Sequence, residues 1–127
     1  MSDFNSRHNR AVWFDIPVVD LERAASFYRA VLAIQMHREQ FQGSAFYVLE
    51  HAGGNGGCLV VSPTDVGAGG ILVYLNVDGR IRDAVRQVEQ RGGRVAEPIH
   101  PIGPHGFRAV VLDCEGNRIA LHSQSDA

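Results

Sequence analysis

The sequence lacks three features that would place it in a specialised class. Its 127 residues contain no apolar stretch approaching the roughly 20 residues that a membrane-spanning helix needs. The formal net charge is only -2, and no basic run offers a surface for nucleic acid or for a membrane. The first ten residues, MSDFNSRHNR, are polar and lack the apolar core of a signal peptide. We therefore expect a cytoplasmic protein with no nucleic-acid or membrane partner.

Cysteine is also scarce, with two residues, Cys58 and Cys114. They form no CxxC pair, and a reducing cytoplasm disfavours a disulfide between them. Nothing beside either thiol in the sequence marks it as an activated nucleophile. We expect Cys58 to be a small buried hydrophobic residue and Cys114 to lie in a turn.

The chain does contain a repeated order of elements. In the first half, AVWFDIPVVD alternates apolar and polar residues, as a half-buried strand does. Asp20 offers an N-cap oxygen to the helix LERAASFYRAVLA that follows. The apolar runs SAFYVLE and GCLVV predict further strands, separated by the glycine-rich turn AGGNGG.

The second half repeats this order. ILVYLNV predicts a strand, and RIRDAVRQVEQRGG predicts a helix that ends in a glycine cap. Each half is interpreted as strand, helix and three strands, which places the modules at about residues 10–61 and 70–123. Because neither half can cover its sheet alone, we expect one domain over residues 1–127.

The two faces of these strands differ in polarity. The first strands superpose with Phe14 on Val73 and Ile16 on Leu75, and these apolar positions are expected to face the helices. The opposite faces of the first and last strands then carry Trp13, Asp15, Leu72, Tyr74, Asn76, Arg118, Ala120 and His122. Apolar walls with a few polar groups suit a small-molecule cleft, and an exposed sheet face or a dimer contact is the alternative. Burying Asp15 without a partner would be costly, which favours a wet cleft.

Three stretches resemble the vicinal oxygen chelate superfamily in their order and spacing. They are FDIPVVDLERAASFYRAVL, VYLNVDGRIRDAVRQVEQRGGRV and GFRAVVLDCEGNRIALHS. This superfamily contains glyoxalases, bleomycin-resistance proteins and extradiol dioxygenases. The resemblance implies an α+β fold in which two βαβββ modules form a curled mixed sheet around a cleft. It also implies a homodimer that binds a small organic molecule.

The resemblance places the family's metal-ligand positions at residues that cannot serve as ligands. One position lies on the first strand of each module, here Trp13 and Leu72, and another follows the DxxGN turn, here Ala120. An indole, an isobutyl group and a methyl group offer no lone pair to a divalent cation. We therefore expect no metal and no other cofactor. Dioxygenase and lactoylglutathione lyase chemistry at the usual site is disfavoured.

The last turn, Asp113 to Asn117, is expected to be structural. Gly116 and Asn117 tolerate left-handed torsions, and Asp113 can form local hydrogen bonds. The strand after it brings His122 to the cleft face.

The candidate catalytic residues are His122, Asp15 and Tyr74. His122 can act as a general base near neutral pH, and Asp15 can orient it or bind a ligand. Tyr74 can donate a hydrogen bond. The alternatives are a polar strand end for His122, an ion pair with Arg118 for Asp15, and packing for Tyr74.

The candidate ligand-binding residues are Trp13, Leu72, Asn76, His105, Arg118 and Ala120. His105 belongs to HPIGPHG, a segment expected to form a loop that folds over the cleft. A substitute metal site of His105 and His122 is disfavoured, because two histidines spaced this way in a loop have no fixed geometry.

These residues predict binding, or metal-independent conversion, of a small organic molecule. Proton transfer beside a carbonyl would make the protein an isomerase or a lyase. One alternative is a protein that sequesters a drug, as bleomycin-resistance proteins do. The other is a metalloenzyme whose ligands have been rearranged to His105, His122 and Asp15.

Overall fold

The structure, a computed structural model, describes residues 8–127. The first module comprises β1 (Asp15–Val18), α1 (Leu21–Leu32), β2 (Met36–Phe41), β3 (Ser44–Leu49) and β4 (Cys58–Val61). The second comprises β5 (Val73–Asn76), α2 (Ile81–Gln90), β6 (Arg94–Pro101), β7 (Phe107–Leu112) and β8 (Arg118–Ser123). The predicted α+β fold of two βαβββ modules is confirmed. Most of the polar N-terminal segment lies outside the described residues.

The eight strands form two mixed sheets with the same topology. Their strand orders are β1-β4-β3-β2 and β5-β8-β7-β6. In each sheet the first and last strands of the module run parallel, and the other pairs are antiparallel. Within residues 8–127, no helix combines the length and the apolar character needed to cross a membrane.

The core lies where the helix-covered faces of both sheets meet. Ile16 is 4% exposed, Leu75 is 6% exposed and Leu121 is fully buried, as their alternation predicts. The two helices pack against each other and against these residues, so one hydrophobic cluster runs through both modules. We call the opposite sides of the sheets the open faces. They carry Asp15 and Tyr74, as predicted.

The start of α1 and the end of α2 lie where the sequence predicts them. The Asp20 carboxylate accepts a hydrogen bond from the Arg23 backbone N–H at 3.1 Å and so caps α1. At the end of α2, Gly92 adopts a φ of 90°, and the Gly93 N–H donates to the Val88 carbonyl at 2.8 Å. This is the glycine-terminated helix end that the sequence predicts.

Two segments differ from the expectation. β2 has the polar sequence MHREQF, which carries no alternating apolar signal, and it forms by pairing with β3 at the sheet edge. β6 continues through Pro101, so His100 lies in a strand and only the rest of HPIGPHG forms a connection. Gly103–His105 is a 3-10 turn within that connection.

The turn from Asp113 to Asn117 closes on itself. Asp113 Oδ1 accepts hydrogen bonds from the backbone N–H groups of Glu115 (2.8 Å) and Asn117 (2.9 Å). Gly116 has a left-handed φ of 92°, whereas Asn117 is outside that region, so the torsion prediction is right for Gly116 only.

The same turn also joins the two modules. The buried Tyr28 hydroxyl on α1 donates to Asp113 Oδ2 at 2.5 Å, and Asn117 Nδ2 donates to the Pro17 carbonyl at 2.7 Å. Glu115 accepts from the Val19 backbone N–H at 2.9 Å. The turn from Asp113 to Asn117 therefore joins the second module to β1 and α1 of the first by hydrogen bonds.

Candidate functional site

A cavity of about 770 Å³ lies between β1 and the starts of β5 and β8. This volume is within the range of small-molecule sites. Five of the predicted site residues line it: Trp13, Asp15, Leu72, Tyr74 and Arg118. We call it the first cavity. Its walls also include Ile71, which is 90% exposed, and the carboxylate of Asp65.

A chain of hydrogen bonds that sequence reasoning missed supports one wall of the first cavity. The Trp13 indole N–H donates to Cys58 Sγ at 3.4 Å, and the Cys58 thiol donates to Asp15 Oδ1 at 3.1 Å. Asp15 and Cys58 meet because β1 and β4 pair in parallel with these two residues in register. Cys58 is buried as predicted, but its thiol links two residues of the cavity wall.

Neither cysteine is an activated nucleophile. Burial raises the pKa of the Cys58 thiol to about 11, and burial likewise raises the pKa of Cys114 to about 11. Both are therefore protonated thiols at neutral pH and are free of disulfides.

Arg118 brings a positive charge to the wall of the first cavity. Its Nη2 lies 3.4 Å from the Gly70 carbonyl, a long hydrogen bond. Its Nε is buried and has no hydrogen-bond partner among the described residues. Arg118 forms no ion pair with Asp15 among these residues, so the ion-pair alternative for Asp15 is not observed.

A second, more open cavity of about 590 Å³ lies farther along the open face of the second sheet. It is lined by Tyr74, Ile102, His105, Arg108 and His122. Tyr74 lines both cavities. His122 stands four residues beyond Arg118 on β8, about 13 Å along an extended strand. The second cavity therefore contains His122 and His105, and the first contains Asp15.

The structure supplies an orienting partner for His122. Its Nε2 lies 2.7 Å from the backbone carbonyl of His105. A carbonyl can only accept, so Nε2 carries the proton and Nδ1 of the neutral ring is the basic nitrogen. Asp15 lines the other cavity, so the predicted Asp15–His122 pair does not form.

Sequence reasoning missed Arg108, a permanent cation at the wall of the second cavity. It donates from Nη1 to the Tyr74 hydroxyl and from Nε to His100 Nε2 at 3.0 Å. These residues converge because β7 pairs with both β6 and β8, opposite His100 and His122. Nothing in the local pattern of FRAVVL indicates this, although alternation places Arg108 and Val110 on the same face.

Two predicted residues line neither cavity. Asn76 Oδ1 accepts a hydrogen bond from the Asp78 backbone N–H at 2.9 Å, which makes it part of the turn before α2. Ala120 is fully buried between Tyr74 and Val110 on the neighbouring strands. Its methyl group does not reach either cavity.

The side chains at the family's metal positions do not fit a metal ion. Trp13 and Leu72 line the first cavity, Ala120 is buried and lines neither cavity, and none of the three can ligate a metal. Cys58 is the β4 counterpart of Ala120, since it pairs with Asp15 as Ala120 pairs with Tyr74. Its single thiol is engaged with Asp15, so it does not make up for the missing ligands.

The rearranged metal site finds no support in the part of the chain that is described. No group of three or more His, Cys, Asp or Glu side chains within residues 8–127 comes together in a way that could hold a metal ion. His105 turns its carbonyl to His122, and Asp15 lies in the other cavity.

Comparison with known proteins agrees with the fold. A family model described as the glyoxalase/bleomycin resistance protein/dioxygenase superfamily matches residues 10–121. Comparison with curated proteins finds no match.

Several solved structures share the fold. A hypothetical protein from S. aureus aligns with a TM-score of 0.71 and 18% identity over 91% of this chain and 94% of its own. A glyoxalase/bleomycin resistance protein from Albidiferax ferrireducens gives 0.70 and 16% over 91% and 98%. The genomically encoded fosfomycin resistance protein of Listeria monocytogenes gives 0.68 and 13% over 91% and 93%.

Proposed function

Because this chain belongs to the glyoxalase/bleomycin resistance protein/dioxygenase superfamily, we propose that it binds a small organic molecule in the first cavity. The observation that carries this proposal is the lining itself. Apolar walls that include Leu72 and Ile71 surround a few charged side chains. These are the carboxylates of Asp15 and Asp65 and the guanidinium of Arg118. A few polar groups in an apolar pocket orient a ligand and make it specific.

The lining indicates the kind of ligand. Asp15 Oδ1 accepts from the Cys58 thiol, whereas Oδ2 has no hydrogen bond among the described residues and can accept from a hydroxyl or an ammonium group. Arg118 suits a carbonyl or an anionic group. We therefore propose an amphipathic molecule with an apolar body, a donor at one end and an acceptor at the other.

A ligand screen by fluorescence tests this proposal. Trp13 is the only tryptophan and lines the first cavity, so a bound ligand changes its emission. We expect Asp15→Asn and Arg118→Gln each to weaken the binding of a hit about tenfold or more, as the loss of a charged hydrogen bond does. Asp126→Asn, at an exposed residue outside the cavity lining, is the matched control. Hits whose affinity is unchanged in both cavity variants would refute the proposal.

The geometry of His122 favours a second candidate function, proton transfer. The His105 carbonyl holds Nε2–H and leaves Nδ1 as a base, and the Tyr74 hydroxyl lines the same cavity. In this mechanism Nδ1 removes a proton beside a substrate carbonyl, and Tyr74 donates a hydrogen bond to the oxygen that gains charge. This proposal assigns the second catalytic group to Tyr74, which shares the cavity with His122, rather than to Asp15.

Mass and NMR analysis of a ligand after incubation separates the two functions. A ligand recovered unchanged, with no deuterium taken up from D₂O, indicates a binding or sequestering protein. Exchange of a proton beside the carbonyl indicates catalysis, and it should disappear in His122→Ala and persist in the exposed-site control His37→Ala. Exchange that persists in His122→Ala would exclude His122 as the base.

Three further properties belong to the proposal. Function without a metal is supported by the side chains at the three family positions. A homodimer and a cytoplasmic location follow from the family resemblance and from the sequence composition. Light scattering tests whether the protein is a homodimer. Fractionation of cells that express the chain tests the cytoplasmic location.

A further inference from the structure

We propose that the second cavity is a separate binding site for a small anionic group, a carboxylate or a phosphate, with Arg108 as its anchor. This goes beyond the ligand proposed for the first cavity, and it does not require His122 to act as a base. The chain has no lysine, so every permanent side-chain cation is an arginine. Arg108 supplies that charge at the wall of this cavity.

The hydrogen bonds of Arg108 fix its position without using all of its donors. Its Nε–H goes to His100 Nε2, and one Nη1–H goes to the Tyr74 hydroxyl. Among the described residues, Nη2 forms no hydrogen bond, but it makes a long ion pair with Glu97 Oε1 at 3.7 Å. A guanidinium has five N–H donors in a planar fork. Three of them, on Nη1 and Nη2, therefore remain available to an anion that accepts two hydrogen bonds at once.

The partners of Arg108 leave a further donor. The Tyr74 oxygen accepts from Arg108, so its own O–H is free to donate. The guanidinium carbon also lies 5.9 Å from the centre of the Tyr74 ring, which keeps the two side chains together. Arg108 and Tyr74 thus present N–H and O–H donors side by side at the wall of one cavity.

His100 holds the guanidinium in place as a neutral ring. Its Nε2 accepts from Arg108, and its Nδ1 lies 2.8 Å from the Pro98 carbonyl, which requires a proton on Nδ1. His100 therefore adds no charge of its own and orients Arg108 through a hydrogen bond. It is a positioning residue for this site.

The charges around the cavity favour an anion. None of the five lining residues is acidic. The carboxylate nearest to Arg108 within residues 8–127 is Glu97, its ion-pair partner. Glu97 is half exposed and lies 3.9 Å from His100 Nε2 as well. The Arg108 side chain is only 25% exposed, so water screens its charge less than that of a surface arginine. Glu97 opposes anion binding, so an incoming anion competes with it for Arg108 Nη2.

NMR titration with acetate and with inorganic phosphate tests the site, with ionic strength held constant by chloride. We expect saturable shifts of the Arg108 Nε–H and the His122 ring signals with at least one of the two anions. The comparison of the two anions shows whether the site prefers a carboxylate or a phosphate. Arg108→Gln should weaken this binding about tenfold or more, as the loss of a charge-assisted hydrogen bond does.

Three further variants test whether the anion binds at Arg108 and not elsewhere. Arg118→Gln removes an arginine from the first cavity and should leave anion binding at the second cavity unchanged. Glu97→Gln should tighten binding, because it removes the competing carboxylate. Tyr74→Phe should weaken it while conserving the ring, which keeps the test valid if Arg108→Gln folds poorly.

Three results would overturn this inference. They are shifts that stay linear with both anions, equal losses in Arg108→Gln and Arg118→Gln, and unchanged binding in Tyr74→Phe. Because the readout is anion binding without turnover, a negative result here leaves the ligand proposed for the first cavity unaffected. A failed fluorescence screen would likewise leave this inference standing.

Discussion

At the scale of the residue, hydrogen bonds between side chains position the groups that line the cavities. Cys58 is the clearest case, because its thiol accepts from Trp13 and donates to Asp15. It therefore orients a ring and a carboxylate that both line the first cavity. Arg108 depends on His100 and Tyr74 in the same way.

Replacing Cys58 separates its polar role from its packing. Cys58→Ala leaves the Asp15 oxygen and the Trp13 N–H without this partner, and we expect the free energy of unfolding to fall by about 1–2 kcal/mol. Cys58→Ser keeps a donor and an acceptor and should lose less. Urea denaturation measures both variants. Equal losses in the two variants would show that the thiol contributes packing alone.

Residues like these mark the limit of what the sequence can predict. The faces of Ile16, Leu75 and Leu121 follow from alternation, since neighbouring residues of a strand point to opposite sides. Cys58 and Asp15, however, are 43 positions apart, and Arg108 and Tyr74 are 34 apart. Such contacts depend on which strands pair, and local periodicity does not encode strand pairing.

At the scale of elements, the turn between β7 and β8 connects the two modules through hydrogen bonds, one of which is buried. Asp113 receives two backbone N–H groups of its own turn and the Tyr28 hydroxyl from α1. Both Asp113 and Tyr28 are buried, and the hydrogen bonds from the Tyr28 hydroxyl and the Asn117 N–H are buried with them. Burial also raises the pKa of Tyr28 well above its usual value, and the nearby Asp113 carboxylate raises it further.

Asp113→Ala should destabilise the fold strongly. The variant removes the acceptor of a buried hydroxyl and of two backbone N–H groups, one of them in a buried hydrogen bond, and we expect a loss of about 3 kcal/mol or more. Asp126→Ala removes an exposed aspartate and should change stability by less than about 0.5 kcal/mol. Chemical denaturation of both variants checks this. A loss below about 1 kcal/mol for Asp113→Ala would contradict the role of the turn.

The Glu115 carboxylate links the same turn to the start of α1 and gives stability a dependence on pH. Burial raises its pKa, but the Arg23 guanidinium and the N–H groups of Val19 and Asp20 lower it more, so the net pKa lies below the usual 4.5. A carboxyl with a depressed pKa stabilises the fold above its unfolded-state pKa. This stabilisation is lost as the pH falls through the folded-state value.

Glu115→Gln should therefore flatten the acid side of the stability profile. We expect the difference in unfolding free energy between wild type and variant to shrink as the pH falls from about 6 through the acidic range, a window set by the 4.5 reference and the downward shift. Glu89→Gln, at an exposed position of α2, is the control and should keep the wild-type profile. A difference that stays constant with pH would show that Glu115 does not contribute this titration.

At the scale of the whole molecule, the sequence predicted the architecture but not the division of its site. The repeat of two modules was readable because each begins with a strand, a helix and matching apolar positions. Asp15 and His122 were expected in one cleft, because alternation reports the face of a residue but not its position along that face. The structure instead places them in two cavities that share Tyr74.

The family positions lead to a prediction about metal. Trp13, Leu72 and Ala120 supply no ligand atoms, so tag-free protein should contain divalent metal well below one equivalent per chain. Plasma mass spectrometry before and after chelator treatment measures this. A metal near one per chain that the chelator removes would contradict the prediction and point to His105 and His122 as ligands.

A ligand-bound crystal structure tests the central claim most directly, namely that the first cavity is the binding site for a small organic molecule. The ligand would be the tightest one found by the fluorescence screen. We predict that its polar groups contact Asp15 Oδ2 and the Arg118 guanidinium, with its apolar body against Leu72. A ligand bound elsewhere on the chain, with the first cavity unchanged, would contradict this claim.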